Sequence, residues 1–362
     1  MAVTNVGQDP DVLRAKEERR EKRFALINRT SGWFAVLGLG FVTPLLKMAA
    51  GDNVKVQMRE LSHSLVIPLV GIGLFIAVWA ALAPQVQTSL GAIPGPAAVW
   101  YQAGNLLEDH ARQREKAAAF YERQEERNAK LVEQGRGDRV KWRTFTGAPT
   151  YIDQIYTSLT TVILGFLIAT VIAVPLGIAA GLSRAVNGAI NPLIQIFKPV
   201  SPLAWLPIVT MVVSATYVNA SEALPKSMLI SAIVVTLCSL WPTLINTSLG
   251  VSSVDKDLTN VGRVLKLPTW KMVTKIVLPS SLPLIFTGLR LSLGVGWMVL
   301  IAAEMLSQNP GLGKFVWDEF QNGSSQSLAK IIVAVLTIGL IGFLLDRVMY
   351  ALQAAFTFSG KR

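Results

Sequence analysis

The chain has one cysteine, Cys238, which rules out an internal disulfide and any cysteine-rich metal site. Its two histidines, His63 and His110, lie too far apart in sequence to suggest a ligand pair. No phosphate-cradling loop of the form G-x-x-x-x-G-K-S/T is present, and the nearest fragment, Gly311-Leu312-Gly313-Lys314, lacks both the first glycine and the hydroxyl residue. A Gly-x-Ser-x-Gly elbow before a strand is also missing. The chain is therefore read as no enzyme, with no catalytic residue, metal ligand or bound cofactor of its own. Charge is scarce as well. Charged residues make up 16% of the 362, against 51% hydrophobic, and the mean hydropathy is +0.45, too apolar for a soluble domain of this length. The net charge of +11 does not indicate a nucleic-acid partner, because Lys and Arg fall between apolar runs rather than on one solvated surface. The first 30 residues are charged and polar, unlike the apolar core of a secretory signal.

What is present is a series of apolar runs near the roughly 20 residues that a helix needs to cross a bilayer. Six stand out, at 64–84, 155–182, 202–218, 228–249, 282–306 and 328–350. They predict an all-α membrane protein, a polytopic helical bundle of six core transmembrane helices. Lys and Arg counts set its orientation. With a cytoplasmic amino terminus, that side receives 10 from residues 1–63, 2 from 183–201, 5 from 250–281 and 3 from the C-terminal end, while the opposite short loops hold only Lys226 and Lys314. Both termini are thus expected in the cytoplasm, with 352–362 as a tail. Residues 1–63 form a cytoplasmic or interfacial extension with an extra apolar segment at 32–50. Pro44, three glycines and Lys47 interrupt that segment, which favours an interfacial helix or shallow hairpin over a seventh span. Residues 64–351 form the membrane domain. Within it, a charged external insertion at about 104–138 contains a solvated helix over 106–134 that ends at Gly135 and Gly137.

The expected cytoplasmic connection 250–279 is long and amphipathic, as a docking surface for a partner would be. Its stretch Asn260-Val261-Gly262-Arg263-Val264-Leu265-Lys266, followed by Ile276-Val277-Leu278-Pro279, resembles the coupling loop of type I ABC importers. The pattern there is Glu-Ala-Ala, three residues, Gly, nine residues, then Ile-x-Leu-Pro. The spacing matches throughout, but Asn260 stands where the family has Glu and Lys266 where it has Gly. Lys198-Pro199-Val200-Ser201-Pro202-Leu203-Ala204-Trp205-Leu206-Pro207 and Phe286-Thr287-Gly288-Leu289-Arg290 narrow the resemblance to the branch importing nitrate, sulfonates, taurine and bicarbonate. The runs Gly296 to Met305 and Gly311 to Phe320 look like nitrate permeases. The resemblance covers about 64–351. It implies a bacterial inner-membrane permease for nitrate or nitrite, working as a homodimer. Two ATP-binding-cassette subunits would hold the ATP and Mg, and a periplasmic nitrate-binding protein would deliver the anion. Other readings are the same architecture importing a sulfonate, taurine, bicarbonate or cyanate, and a non-transporting membrane scaffold. An ion-coupled transporter is disfavoured, because no inverted repeat with midplane acid pairs is seen. The charged insertion is expected to meet the binding protein.

Two residues are candidates for the anion pathway. Arg290 lies inside an apolar run, where an arginine costs roughly 2.5 to 3.5 kcal/mol to insert, and its forked guanidinium suits a small planar oxyanion. The alternative is a structural arginine snorkelling to the inner interface. Glu304, in the same run, has the wrong sign to bind an anion and reads as a gate or a hydrogen-bond partner. Gly288, Ser292 and Gly296 recur every four residues as a helix-packing stripe, as do Gly177 and Gly181. Pro199, Pro202 and Pro207 break the next helix near its start.

Overall fold

The computed structural model describes residues 24–357 apart from 26, 29, 33, 35–37, 89–90 and 219–223. Residues 1–23 and most of the expected tail, 358–362, lie outside the described ones. The chain divides into two compact units, one of Met1–Ala81 with Asp346–Arg362 and one of Leu82–Leu345.

In the first unit, α1 (Val42–Ala49) and α2 (Val54–Leu61) form a helix–turn–helix. Gly51 supplies the turn at φ +86, where an L side chain would be strained. The Asn53 side chain accepts from Lys55 N–H and caps α2. Eight residues reach about 12 Å, so α1, the described helix nearest the centre of segment 32–50, is too short to cross a bilayer. Residues 33 and 35–37 of that segment lie outside the described ones. Helix α2 runs through a π turn (Ser62–Val66) into α3 (Ile67–Leu82).

The second unit opens with a short hairpin, β1 (Gln87–Thr88) and β2 (Gly91–Ala92). Next comes α4 (Pro96–Glu133), 38 residues long, which begins ten residues ahead of the expected solvated helix because Pro96 is a good first residue for a helix. The returning segment lies along α4 and is held by amide side chains. Gln124 Nε2 donates to the Arg143 carbonyl at 3.2 Å and Gln124 Oε1 accepts from Arg143 N–H at 2.8 Å. Asn128 Nδ2 donates to the Lys141 carbonyl at 3.2 Å. A capping box of Thr150 and Asp153 then starts α5 (Tyr151–Leu182), with His110 Nδ1 at 2.7 Å from Thr150 Oγ1 and Arg114 paired to Asp153.

Helices α6 (Arg184–Phe197) and α7 (Pro202–Thr216) meet at a 102° elbow. They are followed by α8 (Lys226–Ser252), α9 (Lys256–Val264), α10 (Thr269–Met272), α11 (Leu278–Ser307) and α12 (Leu312–Asn322). The last helix, α13 (Ser325–Thr357), continues into the first unit. A π turn (Val273–Val277) joins α10 to α11, so residues 269–307 form one 39-residue helix.

Among the described residues, five helices are long and apolar enough to cross a membrane: Val54–Gln85, Tyr151–Leu182, Lys226–Ser252, Thr269–Ser307 and Gln326–Phe356. The third expected span takes a different form. It is the 15-residue α7, about 22 Å long, and it forms one arm of the bent pair with α6. The reason is local: Pro199 has no N–H with which to extend α6, Pro202 keeps Ser201 extended at ψ 142, and the Ser201 side chain caps the restart by accepting from Leu203 N–H, whereas Pro207 is accommodated inside α7.

The core is a three-helix stack with α8 between α5 and α11. In lipid, helices gain little from burying apolar surface against each other and associate through close packing. Accordingly, α5 turns Gly165, Ala169, Ala173, Gly177 and Gly181 toward α8 at four-residue intervals. A Cβ on Gly165 would lie 2.7 Å from the Ala232 carbonyl, and one on Gly177 would lie 2.6 Å from Thr247 Cβ. Ala169 and Ala173 pack with Leu240, Leu244 and Ile194.

Candidate functional site

Three constellations carry the candidate residues. The first is the connection 250–279. Asp255 caps α9 by accepting from Asp257 N–H at 2.9 Å, and Gly262 is buried where α9 meets the helix beginning at Thr269. A Cβ at Gly262 would lie 2.9 Å from both Ile276 Cδ1 and Met272 Sδ. The structure thus brings Gly262 and Ile276, fourteen residues apart, into contact, and leaves Asn260, Arg263, Lys266 and Pro279 exposed and Leu278 half-buried. The end of α9 is closed by two bonds, Leu267 N–H to the Gly262 carbonyl at 3.0 Å and Lys266 N–H to the Arg263 carbonyl at 2.9 Å. That is a Schellman closure, whose pivot adopts left-handed backbone. The pivot is Lys266, at φ +50, the position where the resembled pattern has glycine. Lys266→Gly is expected to stabilise the protein by about 1 kcal/mol and to raise the midpoint of thermal unfolding in detergent by about 1–2 °C. Around this closure Val261, Val264 and Leu265 face outward, with Val264 82% and Trp270 76% exposed. These residues form an apolar face shared by α9 and the start of the 39-residue helix.

The second constellation is the α8–α11 contact, where Gly288, Ser292 and Gly296 are all buried against α8. A Cβ on Gly288 would lie 2.8 Å from Asn246 Cβ and 3.0 Å from the Pro242 carbonyl. Ser292 does more than keep the approach close. Its hydroxyl accepts from Thr243 N–H at 3.0 Å and Thr243 Oγ1 at 2.7 Å, and donates to the Ser239 carbonyl at 2.5 Å. Ser239 carbonyl and Thr243 N–H are the pair that an uninterrupted helix joins directly. The α11 serine therefore bridges the α8 ladder beside Pro242, the residue that disturbs it. Arg290, on the same helix, is half-buried and engaged.

The third constellation surrounds Glu304, which is fully buried. Ser158 Oγ donates to its carboxylate at 2.9 and 2.8 Å, Gly313 N–H donates to Oε2 at 3.0 Å, and Asn309 Nδ2 approaches Oε1 at 3.5 Å. Leu312 N–H donates to Ser158 Oγ at 2.8 Å, and Asn309 Nδ2 also reaches Thr161 Oγ1 at 3.2 Å. The carboxylate and Ser158 thus occupy the amino end of α12, where unpaired N–H groups and the helix dipole favour negative charge. A Cβ at Gly313 would lie 2.9 Å from Glu304 Cβ, which explains the small residue there. Glu304 ties α5, α11 and α12 together as a hydrogen-bond partner. Glu304 and Arg290 are fourteen positions apart on one helix, about 21 Å, so the two pathway candidates are not brought together. Ser158 and Asn309 were not singled out from the sequence, and Gly313 was noted only within the Gly311 to Phe320 run, not as a partner of Glu304. The available signal was the carboxylate itself, since a Glu inside an apolar run requires donors.

A predominantly helical bundle with a long amphipathic connection between two spans defines a multi-pass membrane protein. The chain belongs to the family of binding-protein-dependent transport system inner membrane components, whose sequence profile matches residues 173–357, and it is accordingly a multi-pass inner-membrane protein. It is 36% identical over 196 residues to the nitrate import permease protein NrtB of Synechococcus elongatus, a match covering 54% of this chain and 66%, just under two thirds, of that one. It is 33% identical over 301 residues to the bicarbonate transport system permease protein CmpB of the same organism, covering 82% of this chain and 91% of that one. Among solved structures, a chain of the MetNI methionine ABC transporter in an inward-facing conformation has the same fold, with a TM-score of 0.50 at 12% identity over 57% of this chain and 96% of that one.

Proposed function

We propose that this chain is the permease subunit of an ATP-binding-cassette importer for nitrate. Two copies would form the translocation path, cytoplasmic ATPase subunits holding ATP and Mg would sit below it, and a periplasmic binding protein would deliver the anion. The observation that carries this reading is the connection 250–279. Gly262 seated on Ile276 fixes the angle between α9 and the helix beginning at Thr269, so a force on the exposed face of Val261, Val264, Leu265 and Trp270 is transmitted straight into a 39-residue helix. Because α10 joins α11 without a loop, little of that movement is lost before the membrane. Similarity to the nitrate permease supports nitrate as the cargo. Bicarbonate is the second reading, favoured by the longer match to the bicarbonate permease.

Uptake of labelled nitrate and bicarbonate at micromolar concentration, in cells lacking the chain and in cells with it restored, separates the two readings. Loss and recovery of nitrate uptake alone is the expected result. Loss confined to bicarbonate would shift the assignment to the second reading, and unchanged uptake of both would remove the transport assignment.

A further inference from the structure

Three aromatic rings from three elements meet at the elbow between α6 and α7. Phe197 ends α6, Trp205 lies in the first turn of α7 and Trp241 sits in α8. Phe197 stacks on Trp241 with centroids 6.3 Å apart and planes within 10°, and meets Trp205 at 5.8 Å and 36°. The indole Nε1 atoms of Trp205 and Trp241 are both shut off from the surface, and neither has an acceptor among the described residues. An indole N–H can only donate, and a buried donor is ordinarily paired. The same fold shows the ordinary case at Trp297, whose Nε1 donates to the Ile338 carbonyl at 3.0 Å. The elbow is also one-sided in charge: over residues 183–218 the charged side chains are Arg184 and Lys198, with no carboxylate.

We infer that the indole N–H groups of Trp205 and Trp241 form a donor subsite for the transported oxyanion at the elbow, an assignment that rests on the importer reading above. Neutral donors suit a cargo that must leave as readily as it enters, because they add hydrogen bonds without adding a further fixed charge. The donor-only character also bears on specificity. Nitrate accepts hydrogen bonds through all three oxygens and donates none, whereas bicarbonate carries an O–H that needs an acceptor. A pair of indoles offers donors alone, which match the oxygens of nitrate and do nothing for the O–H of bicarbonate.

The test uses proteoliposomes holding the assembled complex with saturating binding protein, and reads nitrate moved per ATP hydrolysed. Trp205→Phe and Trp241→Phe keep an aromatic ring and remove the N–H. Each is expected to lower the nitrate-to-ATP ratio about tenfold, the scale of one lost hydrogen bond to an anion, while hydrolysis stimulated by the loaded binding protein stays near wild type. Phe197→Leu, which removes the stacking and leaves both donors, is expected to keep the ratio. An unchanged ratio in both tryptophan variants and in the double variant would overturn the subsite. So would an equal fall in Phe197→Leu, which would make the cluster a packing element. A wild-type complex that moves no nitrate would instead overturn the importer reading and this inference with it.

Discussion

Glu304→Ala is expected to yield a protein that fails to accumulate in the membrane, or that unfolds in detergent far below wild type. The substitution removes the acceptor for Ser158 Oγ, Gly313 N–H and Asn309 Nδ2 at a buried position. Each stranded donor costs roughly 1–3 kcal/mol, so the sum is comparable to the 5–15 kcal/mol that holds a typical domain together. Glu304→Gln is expected to fall between the two, since its amide oxygen still accepts while its NH2 faces neighbours that donate. Ser158→Ala removes one donor to the carboxylate and the acceptor for Leu312 N–H, and is expected to cost about 2 kcal/mol. Thermal unfolding of the purified variants orders them. The order also separates two roles for Glu304, because a gating residue would change transport and leave stability intact. A Glu304→Ala protein that melts with wild type would contradict the account of a structural tie.

The second large effect is expected at Gly262. A methyl group there meets only the flexible tips of Ile276 and Met272 at 2.9 Å, which can swing aside, so Gly262→Ala should transport within about twofold of wild type. A leucine has no such room and must lift α9 off the helix beneath it. Gly262→Leu is expected to reach the membrane at a normal level, because the contact lies at the end of the bundle rather than in the three-helix stack, and to lose transport by about a hundredfold. The mechanism is loss of a rigid lever: displacing the apolar face by even an ångström breaks the register between the partner's movement and the 39-residue helix. Uptake measured beside membrane abundance in both variants checks this, and a Gly262→Leu chain transporting at wild-type rate would show that the α9 contact is not part of coupling.

These two sites differ in how far the sequence revealed them. The Gly262–Ile276 contact was legible because it is local: the resembled pattern is a statement about spacing within one short stretch, and the close approach follows from it. Even the departure at Lys266 kept its meaning, since the backbone there retains the left-handed conformation for which glycine is the easier residue. The partners of Glu304 were not legible. Ser158 is 146 positions away, and nothing in an apolar run marks which serine will face a carboxylate on another helix. The small-residue stripes were read as packing, and Gly177, Gly288 and Gly296 do pack, but the bridge that Ser292 makes across the α8 ladder depends on Pro242 of a different helix. Counting apolar residues located five of the spans. It treated 202–218 like the others because hydropathy carries no direction, whereas Pro199 and Pro202 turned that run into one arm of an elbow. The helix of the charged insertion was placed by its composition, and its true start at Pro96 was missed because residues 96–107 are uncharged and so lack the pattern that marked the rest.

The central claim is that this chain converts the work of a separate ATPase into movement of an oxyanion. The most direct measurement is ATP hydrolysis by the complex that co-purifies with the chain, reconstituted in proteoliposomes and read with and without nitrate-loaded binding protein. The account predicts an ATPase that co-purifies, hydrolysis that rises when the loaded binding protein is added, and loss of that rise in Gly262→Leu. A chain that brings down no ATPase, or a complex whose hydrolysis ignores both the loaded binding protein and Gly262→Leu, would contradict it.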